Sequence, residues 1–145
     1  MENNRVVIDT NVFISSIIGQ FGFPYKIVSE LVLTGEIKIC LSPQLLLEYE
    51  EVSQRERFAK KYPEFPKKAK QLIKALKAIA VVAEPTETIT VISDEPDNRV
   101  LEIAVAADAF AIVTGNTHHF GFEEFRGIQI KSPKDFYEEW RNGEK

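Results

Sequence analysis

The stretch VVIDTNVFIS, residues 6–15, sets three β-branched residues together, interrupts them with an acid, a hydroxyl and an amide, and then turns apolar again. The apolar run is too short for a helix, and the polar triplet has no place inside a sheet. It reads as a short strand, buried on both faces, that delivers Asp9, Thr10 and Asn11 at its carboxyl end. The same design recurs along the chain. Short apolar runs at 37–41, 79–83, 111–114 and 128–130 join residues 5–8 as candidate strands. Longer amphipathic stretches near 11–18, 25–34, 43–54, 66–78, 97–108 and 133–140 separate them, several opened by a capping pair such as Ser42-Pro43 or Ser132-Pro133. This alternation predicts the α/β class with a central, mainly parallel five-stranded sheet. Residues 62–66 read as a break between helices, and the polar connection 84–93 has room for a short extra strand.

The 145 residues fit one domain over 1–145, a length at which folding hides about two-thirds of the unfolded surface. With 44% hydrophobic and 28% charged residues, the composition excludes a disordered or fibrous chain. No apolar stretch reaches the roughly 18 residues that span a bilayer, and MENNR does not begin a signal peptide, so the expected location is the cytoplasm with no membrane partner. The single cysteine, Cys40, can form no internal disulfide and reads as a buried thiol within IKICL. A net charge of -4 excludes binding to nucleic acid by bulk attraction. The distribution is uneven, however: nine of the eighteen Lys and Arg fall within residues 55–77, against only Glu56 and Glu64.

Ligands of open parallel sheets bind beyond the carboxyl ends of the strands. Asp9 and Asn116 follow two such strands, and Asp97 opens a helix expected beside them. Asp9 either faces this crevice or caps the helix that starts near Asn11. Glu48 lies at the border of the apolar stripe Leu45, Leu46, Tyr49 and Val52, where a solvated face needs no acid. Asp97 continues the stripe Val100, Leu101, Ala104 and Ala107, although acids are also favoured in a first helical turn. Asp94 is expected to cap that helix, and Glu102, off the stripe, to be a surface acid. Three carboxylates converging from separate elements would repel one another without a cation. Oxygen ligands suit Mg²⁺ or Mn²⁺, ions that activate water for phosphodiester hydrolysis.

Taken in order, Asp9-Thr10-Asn11 after the first strand, Glu48 in SPQLLLEYEEV, Asp97 in DEPDNRVLEIAVAADA and IVTGN at 112–116 resemble a PIN domain. More narrowly the chain is similar to the PIN-family toxins of prokaryotic toxin-antitoxin systems, from Arg5 to about Pro133. The resemblance implies a three-layer α/β/α sandwich and a metal-dependent endoribonuclease acting on RNA. By position, Asp9, Glu48 and Asp97 would be its metal ligands, Asn11 would hold the first carboxylate by hydrogen bonding, and Thr114 would face the crevice. Many relatives carry a fourth acid where this chain has Asn116, whose amide brings no charge. A cognate antitoxin and a homodimer are the implied partners.

Other features leave alternatives open. PKKAKQLIKALKAI sets Leu72, Ile73, Leu76 and Ile79 on one side and Lys67, Lys70, Lys74 and Lys77 on the other, either a solvated face or a track for phosphates. His118 and His119 follow the crevice loop and could touch phosphate or carry a proton; with one cysteine, zinc has little support. Phe21, Phe23, Pro24 and Tyr25 form an apolar cluster that reads as core packing or as a docking patch. A binding module of the same fold with weak or no catalysis is the rival reading, motivated by Asn116. Phosphotransfer is disfavoured: Asp9-Thr10-Asn11 lacks the Asp-x-Asp of haloacid dehalogenases, and no lysine follows IVTGN as in response regulators. No Gly-rich nucleotide motif is present.

Overall fold

The computed structural model describes residues 3–143. The chain runs β1 (Arg5–Ile8), α1 (Thr10–Ile18), α2 (Phe23–Lys26) with a π-helical continuation (Ile27–Val32), β2 (Lys38–Leu41), α3 (Pro43–Ser53), α4 (Glu56–Lys61) and α5 (Phe65–Ile79). It continues through β3 (Val81–Val82), α6 (Glu95–Ala107), β4 (Ala111–Val113), α7 (Thr117–Phe120), β5 (Glu124–Phe125), β6 (Ile128–Lys131) and α8 (Pro133–Arg141). The sheet order is β3-β2-β1-β4-β6-β5, parallel throughout except for β5 against β6.

Chain direction explains the three layers. The steps β1 to β2 and β2 to β3 move one way across the sheet, through α1–α2 and α3–α5; the return from β3 to β4 moves the other way, through α6. Right-handed crossovers in opposite directions lay their helices on opposite faces. Accordingly α1, α3 and α5 pack on one another, whereas α6 lies on β1, β2 and β4. The order reverses between β1 and β4, which opens a crevice at their carboxyl ends. Between the layers Val6, Val7, Ile8, Ile39, Ala111, Ile112 and Val113 are at most 1% exposed, which accounts for their unbroken apolar runs.

Among the described residues the sheet has six strands where five were expected. The addition is not in 84–93 but at β5, which pairs antiparallel with β6 through a two-residue turn, Arg126-Gly127, with φ of 51° and 83°. Such primed turns match the twist of a hairpin. Two short helices, α4 and α7, also lack a sequence period long enough to announce them. Ser42 and Ser132 cap as expected, accepting from Leu45 N–H at 3.0 Å and Asp135 N–H at 3.1 Å. Asp94 occupies the cap position of α6, yet its side chain makes no capping hydrogen bond, contrary to expectation.

Three further expectations are corrected. Glu102 is buried: its carboxylate accepts from Ile89 N–H at 2.7 Å and pairs with Arg99 at 2.9 Å, because the 84–93 connection folds over α6. Ile79 ends α5 45% exposed, beyond the reach of the sheet. Phe21 is 91% exposed and Tyr25 also faces solvent, so this cluster does not belong to the core. Cys40 is buried, and burial pushes its thiol up to about 11. Among the described residues no helix is long and apolar enough to cross a membrane.

Candidate metal centre

At the carboxyl end of β1 the Asp9 N–H donates to Val113 O at 3.1 Å, continuing the sheet for one residue. The carboxylate then turns into the crevice. One oxygen accepts from the Val12 N–H at 3.0 Å, so Asp9 caps α1 and faces the crevice at once. Its other oxygen accepts from the buried hydroxyl of Thr114. That hydroxyl in turn accepts from the Asn116 N–H at 3.1 Å, which ties the β4 loop to the end of β1. Asn11 bonds Asp9 through its backbone, not through the side-chain contact expected of it. Thr114 stands behind Asp9 and is shielded from the crevice.

Glu48 approaches from α3, where it accepts a hydrogen bond from the Thr10 hydroxyl. Its neighbour Tyr49 is fully buried, stacks on Phe13 with ring centroids 4.1 Å apart and donates its hydroxyl to Ile8 O. Asp97 comes from the first turn of α6, on the opposite face of the sheet. Beside it, buried Asn98 accepts from Ile92 N–H at 2.9 Å and donates to Ile92 O at 2.7 Å. Each acid thus adjoins a residue sealed in the interior: Ile8, Tyr49 or Asn98.

The three acids line one cavity of about 570 Å³, together with Asn11, Asn116 and His119. Arg55, Arg57 and Arg99 also contribute to its wall. Burial pushes the Asp9 carboxyl above its ordinary value; the Thr114 and Val12 hydrogen bonds oppose this, and the charge of Glu48 adds to it. Asp97 is raised as well, by burial first and then by Asp94, with His119 opposing and Asp9 reinforcing. Among the described residues, Oδ2 of Asp97 is buried without a hydrogen-bond partner. Two carboxyls raised by burial and by neighbouring charge, one of them with an oxygen that lacks a donor, are what a divalent cation would satisfy, so the donor set fits a hard ion.

The two imidazoles meet edge to face, with ring centroids 4.3 Å apart, but border different depressions. His119 enters the acidic cavity, whereas His118 lines a different depression with Thr117, Gly121 and Lys131. Sequence reasoning missed Thr10 as the partner of Glu48, Asn98 as the bolt beside Asp97, and Arg55 and Arg57 as cavity residues. The concentration of basic residues within 55–77 was the available signal for the last two.

A family model described as a PIN domain matches residues 5–118, from β1 into α7. The chain belongs to the PIN domain family. It is also 31% identical to the uncharacterized protein MJ1680 of Methanocaldococcus jannaschii, an alignment covering 94% of this chain and 91% of that protein. PIN domains are generally metal-dependent nucleases, and the matched region contains Asp9, Glu48 and Asp97.

Proposed function

We propose that this PIN domain is an endoribonuclease that holds Mg²⁺ or Mn²⁺ between Asp9, Glu48 and Asp97 and hydrolyses RNA phosphodiester bonds, as the toxin of a toxin-antitoxin pair. The observation that carries this reading is the meeting of three carboxylates from β1, α3 and α6 in one cavity, with one buried oxygen unpartnered. When bound, a divalent ion supplies a Lewis acid and an acidified water for attack on phosphorus.

The chain's own groups do the positioning. Thr114 and the Val12 N–H hold Asp9, Thr10 holds Glu48, and Asn116 offers an amide oxygen without charge. Arg55 and Arg57 give the cavity wall positive charge for the phosphates beside the cleaved bond. The exposed lysines of α5 offer a track for the strand beyond it. Exposed Phe21 and Tyr25 support docking of an antitoxin or a second copy.

The test is incubation of the purified chain with a single-stranded RNA pool, with Mg²⁺, with Mn²⁺ and with chelator. Cleavage with either ion, abolished by chelator and by Asp9→Asn, is expected. A chain that neither cuts RNA nor binds an ion would remove the proposal. Asn116 favours a second reading, a module that binds RNA or antitoxin without cutting. Under it Asp9→Asn leaves RNA and antitoxin binding intact.

A further inference from the structure

His119 has a place in the cavity that the three-acid reading leaves unused. It sits in α7, whose single turn is closed by the His119 N–H donating to Asn116 O at 3.0 Å and ended by Gly121 at φ 72°. Its Nδ1 lies 3.7 Å from Oδ2 of Asp97, the buried oxygen with no hydrogen-bond partner. That distance is too long for a hydrogen bond. It is close to the span of two atoms sharing one ion, since ligands at about 2.1 Å and near-right or tetrahedral angles stand about 3–3.5 Å apart. One donor atom each from Asp94, Asp97 and His119 falls within 4.8 Å of the others. The residue that opens α7 is Asn116, neutral and unable to supply charge to an ion.

We propose that His119 is a ligand to the ion held by Asp97, giving a mixed oxygen-nitrogen centre that prefers Mn²⁺ to Mg²⁺. This rests on the reading of the cavity as a metal centre. Mg²⁺ favours oxygen donors and retains its waters, whereas an imidazole nitrogen is taken more readily by transition ions. The backbone turn of α7 sets the exposed His119 at the mouth of the acidic cavity and His118 at a neighbouring depression, with the two rings in edge contact.

Mn²⁺ binding to the intact chain, followed by pulsed electron paramagnetic resonance, tests this directly. Nitrogen coupling to Mn²⁺ is expected in the wild type and in His118→Gln, and is expected to vanish in His119→Gln. Loss of this ligand should weaken Mn²⁺ by about tenfold or more and Mg²⁺ by under about threefold. His119→Asp, which returns an oxygen donor, should bind Mn²⁺ without nitrogen coupling and with less preference over Mg²⁺. Wild-type Mn²⁺ binding without nitrogen coupling, or unchanged Mn²⁺ affinity in His119→Gln, would overturn the role of His119. If that binding is also lost in Asp9→Asn, the three-acid reading survives. A wild type that binds neither ion would overturn both.

Discussion

At the corner where α8 meets the π-helical end of α2, Glu30 accepts from the Tyr137 hydroxyl at 2.6 Å and from Arg141 at 3.0 Å. Arg141 also reaches Glu36 at 3.3 Å. The Tyr137 hydrogen bond, followed by Arg141, holds the Glu30 carboxyl below its ordinary value. In the cavity the direction is reversed. Burial raises Asp9 and Asp97, neighbouring acids add to it, and an oxygen of Asp97 lacks a partner. Among the described residues, the same chain therefore pairs Glu30 and Glu36 directly with an arginine at one edge and gives Asp9, Glu48 and Asp97 no Lys or Arg ion pair at another. Acids that the protein supplies with their own cations are structural; acids left in deficit await something from outside.

The largest expected effect comes from erasing the deficit. Asp9→Asn or Asp97→Asn should lower RNA cleavage by about a hundredfold or more, because even outer partners of metal ligands are worth 10–100-fold. Glu30→Gln should leave cleavage unchanged; a cleavage assay on all three variants would break the contrast if they behaved alike. Next, metal should stabilise the wild type by about 2.7 kcal/mol when the ion is at a hundredfold excess over Kd. Thermal melts should show that gain reversed by chelator and absent from Asp97→Asn. Thr114→Val, which leaves an oxygen of Asp9 buried and unpaired, should cost about 1–3 kcal/mol in urea denaturation.

Acid titration offers the smallest and most discriminating effect. A raised carboxyl favours the folded state when protonated. The contribution of Asp9 is therefore present below its ordinary value and lost as pH rises through its raised one. Glu30 runs the other way, contributing above its ordinary value and losing that contribution as pH falls through its lowered one. Urea denaturation of the metal-free protein across the acid range should show Asp9→Asn removing the first dependence and Tyr137→Phe weakening the second.

Much of the frame was legible because its signals are local. VVI followed by Asp9, the stripe of α3 through Leu45, Tyr49 and Val52, and that of α6 through Val100, Leu101 and Ala104 each declare an element and its buried side. What escaped depends on contacts distant in sequence. Glu102 lies off the α6 stripe and is buried only because Ile89 and Arg99 close over it. Thr114 meets Asp9 across 105 residues. Thr10 meets Glu48 across 38. β5 is two residues long, below any period, and becomes a strand only through its pairing with β6. The rule for strand ends pointed to the crevice that Asp9 lines with Glu48 and Asp97; which hydroxyls steady Asp9 and Glu48 did not follow from it.

The adjacency of each acid to a sealed neighbour has a wider consequence. With Asp9 welded to Ile8, Glu48 to Tyr49 and Asn98 bolted beside Asp97, the grip has no hinge of its own. Its aperture is a by-product of interior carpentry, so a repacked ring at Phe13 would retune the chemistry from a distance.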